Sequence, residues 1–121
     1  MIDWQTLRFA PAAGTRLCAA DEVPDGQGKE IVFGEGNDAF RVVIFRLASR
    51  LLAFHNCCPH FSLPLNYEPD RFHVFDGELL MCAHHAAVFR LADGLCVDGL
   101  CGDEHLTAIT IEDRDGEITI A

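Results

Sequence analysis

Positive charge is scarce in this sequence. Nine lysines and arginines stand against nineteen aspartates and glutamates, for a formal net charge of −10. That shortage argues against nucleic acid as a ligand, because phosphates demand a basic face, and against anionic membrane surfaces. The acidic excess serves solubility and suits docking onto a basic partner. Long hydrophobic runs are also absent: none approaches the roughly 18 residues of a membrane span. The opening Met1-Ile2-Asp3-Trp4-Gln5-Thr6 has neither the basic leader nor the apolar stretch of a secretory signal, and no twin-arginine signal is present. The expected compartment is therefore the cytoplasm. There is no repeat, low-complexity tract or evident linker, and no amphipathic pattern sustains a helix of three turns. No Ser/His/Asp arrangement or phosphate-binding glycine loop stands out, so no catalytic residue is assigned.

What remains is a short, well-stocked globular chain. Half of its 121 residues are hydrophobic and 23% are charged, so it can bury one core without staples. Residues 1–121 read as a single domain. Six cysteines would make three disulfides in a secreted protein. With no export signal and ample core residues, reduced thiols with metal duty are the better reading.

Short β-branched or aromatic runs separated by Asp-Gly and similar turns predict an all-β sandwich or barrel. Strands are expected at Thr15–Ala19, Lys29–Phe33, Phe40–Leu47 and Leu51–His55, the last after a tight Ala48-Ser49-Arg50 turn. Phe40–Leu47 carries Val42, Val43, Ile44 and Phe45 in succession, as a strand buried on both faces does. Hairpins follow around Asp76-Gly77, Asp93-Gly94 and Asp113–Gly116, the last pairing Leu106–Ile111 with Glu117–Ile120. Any helix is confined to a turn or two near Leu65–Asp70 or Cys101–His105.

Between these strands lie two Cys/His loops. Cys57-Cys58-Pro59-His60 is followed, after 21 residues, by Cys82-Ala83-His84-His85. A soft thiolate suits zinc, copper(I) or iron–sulfur, and imidazole suits zinc, copper and iron. Two thiolates and two imidazoles could close one tetrahedral zinc site. They could equally hold a [2Fe–2S] cluster, with two cysteines on one iron and two histidines on the other. Cys57-x-x-His60 with Cys82-x-x-His85 is a symmetric zinc pattern, whereas Cys58-x-His60 with Cys82-x-x-His85 is the mixed-ligand cluster pattern. The doublets Cys57-Cys58 and His84-His85 allow both.

The surrounding residues resemble the Rieske [2Fe–2S] family. Asn56-Cys57-Cys58-Pro59-His60 with Leu63-Pro64-Leu65 is similar to its first loop. Cys82-Ala83-His84-His85-Ala86-Ala87-Val88-Phe89, then Gly94-Leu95-Cys96 and Gly99, is similar to its second loop and following strands. Arg16–Ala19 through Glu22–Gly26 looks like its opening, so the resemblance spans roughly residues 15–120. It implies a Rieske-like antiparallel β-framework with a two-loop cluster-binding subdomain at one tip, about residues 56–100. It implies one [2Fe–2S] cluster per chain, with Cys58 and Cys82 on the inner iron and His60 and His85 on the outer. Cys57 is then a packing residue, and His84 a loop-tip side chain beside the exposed iron.

High-potential Rieske proteins add a disulfide between the loops and Ser and Tyr side chains that donate to the cluster and a ligand sulfur. Here Leu63 and His84 hold the disulfide positions, while Ala87 and Phe89 hold the donor positions and cannot donate from their side chains. The expected potential is at the lower end of the Rieske range, near about −150 mV. The low expected potential and the expected lack of a membrane anchor resemble the soluble ferredoxins of ring-hydroxylating oxygenase systems. That implies a one-electron carrier, not an enzyme by itself, between a flavoprotein or ferredoxin reductase and an oxygenase. A small nitrite-reductase-like subunit and a zinc-stabilised interaction module are the alternatives. The chain departs from the family at Ser62, Ala86 and Leu100, where Gly, Gly and Pro are usual. Its spacer is longer, with Asn66–Arg71 read as an insertion whose Tyr67-Glu68-Pro69-Asp70 is a surface loop rather than a partner-facing one. Cys96 and Cys101 are read as packing thiols rather than a disulfide, Cys18 as core, and His55, His73 and His105 as non-ligands.

Overall fold

The alternation within Phe40–Phe45 organises the molecule. In a strand, successive side chains point to opposite faces. Phe40, Val42 and Ile44 therefore enter one apolar cluster, and Val43 and Phe45 enter another. The computed structural model describes residues 4–36, 39–47, 50–57, 65–66, 71–76, 78–83, 87–99 and 104–121.

Strand β1 is Arg16–Ala19, β2 Gly28–Phe33, β3 Phe40–Leu47 and β4 Arg50–His55. Strands β5 (His73–Phe75), β6 (Leu79–Met81), β7 (Val88–Arg90) and β8 (Cys96–Asp98) follow, then β9 (Ala108–Ile109), β10 (Ile111–Arg114) and β11 (Glu117–Ile120). They form three antiparallel sheets, ordered β2-β3-β4-β9, β1-β11-β10 and β5-β6-β7-β8. The first sheet is a shared wall. On one face, Phe40, Val42, Ile44, Ala53 and Ile109 meet Leu17, Cys18, Ile118 and Ile120 of the β1-β11-β10 sheet. On the other, Val43, Phe45 and Phe54 meet Leu80, Phe89 and Cys96 of the β5–β8 sheet, with Leu65 and Phe72 between. The all-β architecture and the two-sided burial of β3 are as predicted.

The hairpins form where the turn residues predict them. Phe75 pairs with Leu79 across Asp76, whose φ is +52°. Phe89 pairs with Cys96 around Asp93-Gly94. Asp115 (φ +55°) and Gly116 (φ +88°) join Arg114 to Glu117, the left-handed pair that a two-residue hairpin demands.

Two expectations are corrected. The stretch Leu106–Ile111 is not one strand of the last hairpin. Its Ala108–Ile109 part pairs with β4, while Ile111 opens β10 and pairs with Ile120. The chain crosses between sheets at Thr110, whose carbonyl accepts the Ala121 N–H at 3.0 Å. Crossing lets Ile109 reach the core while the polar Glu112–Arg114 stays in solvent. Helical turns occur instead at Trp4–Thr6 and Ala20–Glu22, where the Glu22 carboxylate accepts the Ala19 N–H at 2.6 Å. Leu65 and Asn66 are not helical, and His105 sits in an isolated bridge to Leu95. Residues 67–70 and 101–103, the rest of the expected helical turns, lie outside the described residues, as do Ala48 and Ser49 of the tight turn.

Candidate metal centre

The two Cys/His loops leave the framework at places that the β-ladders fix. β4 ends at His55, whose N–H donates to the Thr107 carbonyl at 2.9 Å. The Asn56 N–H then donates to the Arg41 carbonyl at 2.8 Å, so the first loop starts anchored to β3. Its far end returns at Leu65, which is fully buried. Asn56, also buried, closes the loop, because its Oδ1 accepts the Leu65 N–H at 2.7 Å.

Leu65 also ties the first loop to the second. Its carbonyl accepts the Ala83 N–H at 2.9 Å. The second loop is closed at its own base, where the Cys82 N–H donates to the Ala87 carbonyl at 2.8 Å, one step beyond the Met81–Val88 pair. One peptide unit thus spaces the two loop roots, and each buried polar group along the way has a partner, as burial requires.

Cys82 is the ligand candidate whose surroundings are described. It is not disulfide-bonded and is 1% exposed, in the core beside Leu65, Leu80 and Ala87. Cys58, His60, His84 and His85 lie outside the described residues. Cys57 is half-buried, outside any disulfide, at the edge of the first loop. Among the described residues, no three His, Cys, Asp or Glu side chains gather to hold a metal. A buried cysteine outside any disulfide, at the base of one loop and one peptide from the other, suits the thiolate that an inner iron needs.

The remaining singled-out residues are placed as follows. Cys18 is core, and burial pushes its thiol up from the ordinary value. His55 stacks on Phe40 with ring centroids 4.5 Å apart, and burial lowers its pKa. His73 and His105 are exposed. Ala87 and Phe89 are buried. Gly99 (φ +99°) comes so close to the second loop that a Cβ there would lie 2.8 Å from the Ala87 Cα. That approach needs glycine both for its φ and for its lack of a side chain.

Two further readings are corrected. Cys96 is not a packing thiol but is disulfide-bonded. No disulfide joins Cys18, Cys57 or Cys82, so its partner, like Cys101, is outside the described residues. The Cys96 N–H donates to the Glu104 carbonyl at 2.9 Å. Asn66 does not begin a surface loop: it is buried and accepts a hydrogen bond from Asn56 Nδ2 at 2.8 Å. Sequence reading also missed Glu30, whose side chain is 3% exposed and lies beneath these asparagines. No local pattern flags it, because Lys29-Glu30-Ile31 reads as an ordinary polar position in a strand.

The framework is thus a β-sandwich that ties the roots of two Cys/His loops together beside the buried Cys82. The model of the family described as Rieske [2Fe-2S] domain matches residues 14–108, and the chain belongs to that family. It is accordingly a carrier of one [2Fe–2S] cluster.

Solved structures with this fold include components of carbazole 1,9a-dioxygenase. A carbazole-bound oxygenase–ferredoxin complex gives a TM-score of 0.73 at 16% identity, over 89% of this chain and 28% of that one. The terminal oxygenase from Nocardioides aromaticivorans IC177 gives 0.72 at 17% identity, over 89% and 29%. A complex of reduced oxygenase and oxidised ferredoxin gives 0.71 at 22% identity, over 92% of this chain and 94% of that one. This chain therefore spans less than a third of the first two and nearly all of the third. No curated protein matches the sequence closely. Among the described residues, no helix is long and apolar enough to cross a membrane.

Proposed function

We propose that residues 1–121 act as one domain, a one-electron carrier between a flavoprotein or ferredoxin reductase and an oxygenase in the cytoplasm. Cys58 and Cys82 hold the inner iron of its cluster, and His60 and His85 hold the outer iron. The observation that supports the ligand assignment is Cys82, a buried cysteine outside any disulfide, whose neighbour Ala83 is tied through Leu65 to the root of the other loop. The carrier role draws on the nearly end-to-end likeness to a chain of an oxygenase–ferredoxin complex. Nothing in the described residues favours the nitrite-reductase-like alternative.

When bound, the cluster supplies a site that takes up and releases one electron. The chain's own residues set its surroundings. Leu65, Leu80 and Phe89 keep water from the Cys82 side of the loops. Ala87 and Phe89 offer no side-chain donor, so negative charge on the cluster is left less stabilised and the potential stays low. Neutral imidazoles in place of two thiolates work in the opposite direction, which keeps the potential above that of all-cysteine clusters. Charge steering brings the acidic surface to a basic partner.

Iron, zinc and acid-labile sulfide analysis of the purified protein tests the assignment. Iron and sulfide in equal amounts are expected, and zinc without sulfide would exclude the cluster. His85→Ala should abolish the visible absorption of the cluster, whereas His84→Ala should keep it. The reverse result would exchange the roles of the two histidines.

A further inference from the structure

Glu30 is a buried acid that the reading above does not use. It lies on β2, opposite Val43 of β3, within the framework rather than in either loop. Burying a carboxylate costs several kcal/mol unless it is paired and hydrogen-bonded. Here its Oε2 accepts from Asn56 Nδ2 at 2.7 Å and from Arg41 Nη1 at 3.3 Å, and its Oε1 lies 3.5 Å from Asn66 Nδ2. The partners are the residue that opens the first loop and the residue just after Leu65, which closes it. The Arg41 carbonyl also accepts the Asn56 N–H, which completes a ring of contacts around Asn56.

Two features separate this carboxylate from an ordinary structural ion pair. Its contacts converge on the first ligand loop, and the short one goes to an amide rather than to the cation. The cation is also the wetter partner: the Arg41 side chain is 35% exposed against 3% for Glu30. Solvent screens the positive charge more than the negative one, so Arg41 offsets only part of the carboxylate's charge.

We propose that Glu30 is a positioning residue for the metal centre. It holds the two ends of the first ligand loop together and places an anionic charge behind that loop, which lowers the potential of the cluster. The proposal rests on the cluster reading above. A negative charge in a low-dielectric surrounding opposes the arrival of an electron, and removing it favours the reduced state.

The test is redox titration of the cluster-loaded wild type, Glu30→Gln and Glu30→Ala, with thermal melting and the rate of cluster loss on the same samples. Glutamine keeps an acceptor for Asn56 but removes the charge. Glu30→Gln should keep its cluster and shift the reduction equilibrium at least threefold toward the reduced form, a rise of about 28 mV at 59 mV per tenfold. Glu30→Ala should lose its cluster several-fold faster than Glu30→Gln, because Asn56 and Asn66 lose their common acceptor. A potential that falls or stays within error in Glu30→Gln would overturn the proposal, even if the variant melts lower. So would equal rates of cluster loss in the two variants. A wild type that holds no iron–sulfur cluster would instead refute the cluster reading itself.

Discussion

The two faces of β3 carry cores of different construction. On the β1-β11-β10 side, the core is mostly aliphatic, with Leu17, Val23, Val42, Ile44, Ile109, Ile118 and Ile120 closed by ladders of two to eight residues. On the β5–β8 side, the strands are three residues long, and the core mixes Phe45, Phe54, Phe72 and Phe89 with Cys82, Cys96 and Leu65. Three-residue strands cannot hold themselves, since even a full hairpin alone is marginal. Side-chain-to-backbone bonds, Asn56 to Leu65 above all, take over the work of ladders there. One face is a foundation stabilised by burial. The other is a mounting, in which polar ties place two loops.

If that division is correct, equal losses of packing on the two faces should have unequal consequences. Phe45→Ala removes a fully buried ring set against Phe54 and Phe72 and should cost about 3–5 kcal/mol. Ile118→Ala on the opposite face should cost about 2–5 kcal/mol. Denaturant unfolding measures both losses. Cluster absorption at matched fractions folded should fall in Phe45→Ala and stay at the wild-type level in Ile118→Ala. Equal retention in both would dissolve the distinction.

Asn56→Ala should come next. It takes a partner from the Leu65 N–H and from Glu30, at about 1–3 kcal/mol for each buried group left short. Faster cluster loss should accompany that destabilisation, which time-resolved absorption at neutral pH would follow.

A smaller effect is expected from pH through His55. Burial lowers its folded pKa below the ordinary 6.5, so the folded state prefers neutral imidazole. Above pH 6.5 neither state binds the proton, and there is no penalty. As pH falls below 6.5 the unfolded chain takes up the proton first, and stability drops until the folded pKa is passed. In the apo-protein, His55→Gln should flatten that part of the stability profile, and an unchanged slope would remove His55 as its cause.

The smallest effect belongs to the exposed Arg90–Asp93 pair. Its side-chain hydrogen bond at 2.5 Å, with help from the Leu95 N–H, holds the Asp93 carboxyl at about 2 instead of 3.8. That contribution is present above the ordinary value and lost as pH falls through about 2. Asp93→Asn should leave neutral-pH melting nearly unchanged, since exposed pairs contribute little. Only the acid limb of an unfolding profile should respond.

Legibility in the sequence follows the same division. The foundation was readable because burial writes a period-two pattern: Phe40–Leu47 came out with both ends right. Its one misreading, Leu106–Ile111, has alternation that suits a single strand, and only the tertiary demand to serve two sheets splits it at Thr110. In the mounting, the turns at Asp76 and Asp93-Gly94 are legible because their chemistry is specific. Glu30 was not, since its partners Asn56 and Asn66 lie 26 and 36 residues away and nothing local distinguishes a buried acid from an exposed one. Cys96 was misread for a related reason: spacing alone does not separate a packed thiol from a bonded one.

The most direct test of the central claim is pulsed electron paramagnetic resonance of the dithionite-reduced protein. Ligation by His60 and His85 predicts a [2Fe–2S] signal with hyperfine couplings from two imidazole nitrogens, unchanged in His84→Ala. A reduced-cluster signal without strongly coupled nitrogen, as for four cysteine ligands, would contradict it.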